Sequence, residues 1–186
     1  MTHFHFVWLP HLGDIYFRRG KKIPKGFYRM TVKALVMNAE WKILLLREGR
    51  YADKNSEFYR DDSGLYDLPG GGIVWWDGFE ESLYKELFEE IGLQKKDITI
   101  AKEPLYTYIT ELDDRYYADE KNDELYPVCM FIYPVRLAHF DFRESPECTW
   151  FEWVSIEDFP KYQIWTHSAS LVKVFQKKDF PLSSVS

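Results

Sequence analysis

The sequence predicts an α+β domain, and three observations carry that expectation. Short runs rich in branched and aromatic residues recur along the 186-residue chain, set apart by turn-forming segments. One stretch, Gly78 to Ile91, has a strong helical period. Strands and helices are mixed with hairpin-like connections, which favours α+β over a doubly wound parallel sheet.

Taken in order, His3 to Leu9 alternates between two faces and reads as a short strand. Arg18, Arg19, Lys21, Lys22 and Lys25 follow in a segment broken by Gly20, Pro24 and Gly26, the pattern of a solvated basic loop, with contact to a phosphate as the alternative. Tyr28 to Met37 and Trp41 to Arg47 read as a hairpin or two neighbouring strands, turning at Asn38-Ala39-Glu40. Gly49 to Gly64 is polar and charged, a long loop of the kind that tends to be functional or mobile. Leu65 to Gly72 ends in Pro69-Gly70-Gly71-Gly72 and is expected to be a loop.

The helix from Gly78 to Ile91 opens with Asp77 and Glu80 in capping-box spacing. Phe79, Leu83, Leu87 and Ile91 line one face, and Gly92 stops it. Ile98 to Thr110 and Tyr126 to Leu137 are expected strands on either side of an acidic loop, Glu111 to Glu124. Thr149 to Val154 is a further strand, Ser155 to Phe159 a short helical turn, and Thr166 to Lys177 a second helix. The organisation expected is an N-terminal extension over residues 1–27, one domain over 28–180, and a disordered tail over 181–186.

Apolar residues make up 46% of the chain and aromatics 18%, enough for a core and for rings that stack on a flat ligand. The net charge of −6 argues against a nucleic-acid polymer as partner, since phosphate backbones are bound by basic surfaces. A small anionic substrate stays compatible, because bound metal ions reverse the sign of an acidic site. Cys129 and Cys148 make no disulfide framework and read as reduced residues of a cytosolic protein. The N-terminus lacks the pattern of a signal peptide, and no apolar run reaches the roughly 18 residues of a spanning helix. A soluble, cytoplasmic protein with no membrane partner is the expectation.

The chemistry is concentrated in Lys85-Glu86-Leu87-Phe88-Glu89-Glu90. Residues three and four apart are neighbours on a helix, so Glu86 meets both Glu89 and Glu90, with repulsion of a few tenths of a kcal/mol per pair, roughly. A cation relieves it, and hard oxygen donors point to Mg²⁺ or Mn²⁺ rather than zinc. Alone, such a stripe also describes a solvated helix face. The glycine loop ahead of it, in fixed register, favours the metal.

That register resembles the box of the Nudix family, G-x5-E-x7-R-E-U-x-E-E-x-G-U, where U is aliphatic. Gly71 takes the first glycine, Asp77 stands for the first glutamate and Lys85 for the arginine. Glu86, Leu87, Glu89, Glu90, Gly92 and Leu93 match directly, and Leu68-Pro69-Gly70 is similar to the family's approach to the box. The likeness extends over roughly residues 28 to 177, through Val32 to Met37, Ile43 to Arg47 and Glu152-Trp153-Val154. It implies a mixed β-sheet sandwiched between helices, α/β/α, preceded here by the N-terminal extension.

The resemblance also implies a reaction: metal-dependent hydrolysis of a nucleoside diphosphate linked to another group. Glu86, Glu89 and Glu90, with Gly71, would hold the metal, and Gly70 and Gly72 would face the diphosphate. The general base would be a box glutamate, Glu89 or Glu90, or a carboxylate on a distant loop. Glu144 and Glu147 are the preferred outside candidates, with Glu111, Asp113, Asp114, Asp119, Glu120, Asp123 and Glu124 as rivals. Asp77 and Lys85 are the family's structural pair with both members changed, and lysine lacks the planar fork of arginine.

Trp75 and Trp76 either flank the substrate or meet the N-terminal extension. Tyr106, Tyr108, Tyr116 and Tyr117 are candidates for stacking on a base or for plain strand packing, and His139 and His167 read as structural. Narrower specificity for a nucleoside diphosphate sugar or ADP-ribose, a nucleotide sensor without turnover, and an interaction protein with a solvated acidic helix are the competing readings. Some relatives dimerise through N-terminal strands, so a homodimer built on residues 1–27 is a further expectation, by analogy.

Overall fold

Alternation along the first strand sets the layering. The computed structural model of the chain describes residues 29–48, 65–73, 76–111, 127–145, 148–162, 164, 171 and 175. In strand β1 (Arg29–Val36), Val32, Ala34 and Val36 enter one core cluster and Leu35 the other, as the two-residue period of a strand requires. Strand β2 (Ile43–Glu48) divides the same way, Leu44 and Leu46 against Ile43 and Leu45. Helix α1 (Gly78–Ile91) covers the first face with Leu83, Leu87 and Ile91. Phe159 and the helical residues Leu171 and Phe175 cover the second. The helical cover on both faces is the α/β/α arrangement that the sequence implies.

The β layer consists of two sheets. In one, β1 pairs in parallel with β6 (Pro127–Leu137), whose other edge pairs antiparallel with β4 (Ile98–Ile100) and β5 (Tyr106–Glu111). In the other, β2 lies between β3 (Tyr66–Asp67) and β7 (Cys148–Val154), antiparallel to both.

Several local expectations are corrected. The turn at Asn38 forms, with the Trp41 N–H donating to the Asn38 carbonyl at 3.1 Å and the Glu40 and Lys42 N–H groups to its side chain at 3.0 Å. Yet β1 and β2 share only the Met37–Ile43 bridge before parting into different sheets. Each carries apolar residues on both faces, and a local turn does not dictate which distant strand completes its hydrogen bonds. The single strand expected over Ile98 to Thr110 is two, interrupted around Pro104, which lacks an N–H for the ladder. Both halves still lie on β6, and the Leu105 N–H bonds the Ile132 carbonyl at 2.8 Å.

The run from Leu65 to Gly72 contains the two-residue strand β3. The helical turn expected at Ser155 to Phe159 lies slightly later, as a 3-10 turn over Phe159–Lys161. Ser155 sets it up by accepting the Asp158 N–H at 3.1 Å. The extension over residues 1–27, the Gly49 to Gly64 loop, the acidic loop beyond Glu111, most of the Thr166 to Lys177 helix and the tail lie outside the described residues. Among the described residues no helix is long and apolar enough to cross a membrane.

Candidate active site

Helix α1 is held by its apolar stripe, with Leu83, Leu87 and Ile91 fully buried. Gly92 closes it with φ 75°, a left-handed conformation that glycine tolerates, and its N–H bonds the Phe88 carbonyl at 3.0 Å. With the apolar stripe facing β1, the registers of Glu86 and Glu90 fall on a neighbouring side of the helix.

The glycine loop reaches that side because it is laced to β1. The Ala34 N–H bonds the Pro69 carbonyl at 2.8 Å, the Val32 N–H that of Gly71 at 2.9 Å, and the Ile73 N–H that of Met30 at 3.0 Å. Gly70, with φ 118°, donates its N–H to Glu90 Oε2 at 2.7 Å. Gly71 lies against Glu86, so that a methyl group on Gly71 would fall 2.6 Å from Oε2. Two glutamates of the box thus meet the two glycines that precede its variable stretch.

Two residues that the sequence reading did not single out anchor this loop from below. Lys33, on β1, is 4% exposed, and its ammonium donates to Asp67 Oδ2 at 2.6 Å, to the Leu68 carbonyl at 3.1 Å and to the Gly70 carbonyl. Asp67 is equally buried, and its other oxygen accepts the Leu68 N–H at 2.8 Å. The available signal was a lone lysine inside the apolar run Thr31-Val32-Lys33-Ala34-Leu35-Val36. A buried lysine is almost always paired.

The capping box expected at the helix start does not form. Asp77 sits at the N-cap with φ −91° and ψ −25° and makes no side-chain bond to the helix amides. Its carboxylate accepts instead from Lys85 Nζ at 2.6 Å, two turns along the helix. That bond raises the Lys85 ammonium above its ordinary pKa. Glu80 accepts the Tyr84 hydroxyl at 3.1 Å rather than reaching back to the cap.

The remaining candidates are placed unequally. Glu89 is exposed on α1, and Gly72 bridges Thr31. Trp76 is 65% exposed just before the helix, while Trp75 and Glu147 lie outside the described residues. Glu144 is exposed and follows Arg143, whose N–H bonds the Ile91 carbonyl at 3.0 Å, at the end of the helix that carries Glu90. Of the tyrosines, Tyr106 borders the second core cluster, and Tyr116 and Tyr117 are outside the described residues. His139 stands 3.6 Å from Asp97 and 3.5 Å from Asp141, and His167 is outside the described residues. Cys129 and Cys148 form no disulfide with each other, and the Cys148 thiol donates to the Trp150 carbonyl at 3.3 Å. Among the described residues, no three His, Cys, Asp or Glu side chains come together as a group that could hold a metal ion, so Glu86, Glu89 and Glu90 do not converge as one.

Comparison with known proteins bears on the same region. The model of the NUDIX domain matches residues 27–175. The chain is similar to an RNA pyrophosphohydrolase of Hamiltonella defensa, 36% identical over 73 residues, covering 39% of this chain and 37% of that protein. It is also similar to the nucleoside triphosphatase NudI of Escherichia coli O81, 28% identical over 108 residues, 56% of this chain and 74% of that one. It therefore spans little more than a third of the first relative's length and about three quarters of the second's. In fold it is similar to the MutT protein of Methanosarcina mazei Go1, with a TM-score of 0.59 at 23% identity over 80% of this chain and 92% of that one. A family match this long, across the very loop and helix that the structure draws together, makes the chain a member of the Nudix hydrolase family.

Proposed function

We propose that the chain is a divalent-metal-dependent pyrophosphohydrolase that cleaves the diphosphate of a small nucleotide derivative. The observation that carries this reading is the meeting of Glu86 and Glu90 with Gly71 and Gly70. Carboxylates and peptide carbonyls are hard oxygen donors, which fits Mg²⁺ or Mn²⁺. Of the two, Mg²⁺ is the ion that proteins seldom hold in a dedicated cage of side chains. That ion is commonly held by one or two carboxylates while water and substrate phosphates complete its shell.

Glu86, Glu89, Glu90 and the Gly71 carbonyl are the donors assigned to the metal. When bound, the metal neutralises the diphosphate and favours in-line attack by water. Glu90 is oriented for its part by the Gly70 N–H. Gly70 and Gly72 let the diphosphate approach the backbone closely, as residues without a side chain allow. Trp76, exposed just before α1, and Trp75, its neighbour in the sequence, are assigned to the nucleoside. The proton of the attacking water goes to a carboxylate, with Glu89 and Glu90 on the helix and Glu144 and Glu147 outside it as candidates. The pH–rate profiles of the four Gln variants distinguish them, since the true base alone takes the acid limb with it.

The names of the relatives, RNA pyrophosphohydrolase and nucleoside triphosphatase, support anhydride chemistry at a nucleotide. The net charge of −6 favours a small substrate over a polymer. The sensor reading drew on the changes at Asp77 and Lys85, and the two side chains are paired.

The test is a panel of nucleoside triphosphates, nucleoside diphosphate sugars, ADP-ribose and 5′-triphosphorylated RNA, incubated with Mg²⁺ and followed by phosphate or monophosphate release. Turnover that stops with chelator and falls by orders of magnitude in Glu86→Gln, Glu89→Gln and Glu90→Gln supports the proposal. Turnover indifferent to chelation and to all three variants overturns it.

A further inference from the structure

Lys33 is a cation buried where nothing in the box calls for one. Burying an ammonium is costly unless it is paired and fully hydrogen-bonded. Here its three donors meet three acceptors: the Asp67 carboxylate, the Leu68 carbonyl and the Gly70 carbonyl. Two of the three are peptide oxygens of the short run leading into the glycine loop. The ammonium therefore does more than join β1 to β3 through an ion pair.

Gly70 is the residue on which both sides of the site converge. Its carbonyl is taken by Lys33, and its N–H is given to Glu90 at 2.7 Å. Lys33 shares the strand parity of Leu35, whereas α1 covers the face that carries Val32, Ala34 and Val36. The loop is thus gripped from opposite sides of the β layer. At Gly70 φ is 118°, and the place a side chain would take is filled by the Val32 carbonyl, so only a glycine makes the bend from which its two polar groups reach different partners.

We infer that Lys33 is a positioning residue of the active site: with Asp67 as its counter-ion, its buried ammonium fixes the Gly70 peptides so that the loop amide meets Glu90 and Gly71 meets Glu86. This rests on the proposed reading of the loop and glutamates as the metal and diphosphate site. The action of Lys33 passes through the loop backbone, and it touches neither substrate nor reacting atoms.

The test compares the wild type with Lys33→Met and with Lys33→Met/Asp67→Leu. Amide hydrogen exchange is read at Gly70 without metal, and Mn²⁺ affinity by water-proton relaxation. Lys33→Met lowers the melting temperature, because Asp67 is left buried without its cation, and the double variant recovers most of that loss. In the double variant, Gly70 exchange accelerates about tenfold or more while the amides of β2 keep their protection. Its Mn²⁺ affinity falls about ten- to a hundredfold, the usual effect of removing a group that orients a ligand. Gly70 exchange and Mn²⁺ affinity within about twofold of wild type in a folded double variant overturn the inference.

Should the double variant not fold, Lys33→Arg decides the same point. It keeps the charge opposite Asp67, but a planar guanidinium cannot direct three donors to these acceptors, so Gly70 exchange rises; unchanged exchange overturns the inference. Glu86→Gln and Glu90→Gln separate the two readings. If they leave Mn²⁺ affinity intact, the metal site fails, and Gly70 exchange alone decides whether Lys33 positions the loop. If they abolish Mn²⁺ binding while the double variant does not weaken it, the role of Lys33 fails alone.

Discussion

Gly71 and Glu86 stand so close that a methyl group on the glycine would lie 2.6 Å from the glutamate Oε2. The glycine loop and the helix of the box are therefore in contact, and the glycine is there for space. Gly71 is not among the residues with positive φ, so its backbone conformation is open to other side chains. Gly70 differs, since its φ of 118° is a region almost closed to any other residue.

This difference yields a first prediction. Gly70→Ala combines a forbidden backbone angle with a collision against the Val32 carbonyl, which is backbone and cannot swing away. It should cost more than about 3 kcal/mol in urea unfolding. Gly71→Ala meets only the end of a flexible side chain and should cost about 1 kcal/mol. Its effect should instead appear as weakened Mn²⁺ binding, because Glu86 is displaced. Equal stability losses for the two variants would contradict the geometry.

The pair of Asp77 and Lys85 sets an alkaline dependence. The bond to Asp77 raises the Lys85 pKa in the folded protein above 10.5. A group raised on folding contributes stability below its unfolded pKa and loses it as the pH climbs through the folded one. The melting difference between wild type and Asp77→Asn should thus hold steady from neutral to mildly alkaline pH and shrink above 10.5. A difference that grows with pH would refute the assignment.

Tyr162 donates its hydroxyl to Glu152 Oε1 at 2.7 Å, and this bond, followed by burial, pushes its pKa up to about 12. Ultraviolet titration should show one phenol ionising near 12 that vanishes in Tyr162→Phe. The associated stability is complete below pH 10.0 and disappears as the pH rises through about 12. If Glu152→Gln leaves the titration unchanged, the hydrogen bond is not its cause.

Helix α1 offers a fourth check at adjacent positions. Leu87 is fully buried and Phe88 is 58% exposed. Leu87→Ala should destabilise the protein by about 2–5 kcal/mol, and Phe88→Ala by no more than about 0.5 kcal/mol. A comparable loss at Phe88 in chemical unfolding would mean that the helix presents a different face.

What the sequence by itself determined is local and periodic. The helix from Gly78 to Ile91 could be read because side chains on one helix repeat at fixed angles, whereas the register between glycines and glutamates was legible through the resemblance to the Nudix box. The branched runs of β1, β2, β6 and β7 were visible for the same reason. Tertiary structure alone decided which strands pair. β1 leaves the turn at Asn38 to lie parallel with β6, a partner that no local pattern names. It also decided where polar groups spend their bonds. Asp77 serves Lys85 instead of the helix amides, and Lys33 finds Asp67, Leu68 and Gly70 across the fold. The physical reason is common to all three cases. Periodicity fixes the side of an element on which a residue lies, whereas a hydrogen bond depends on which other element arrives there.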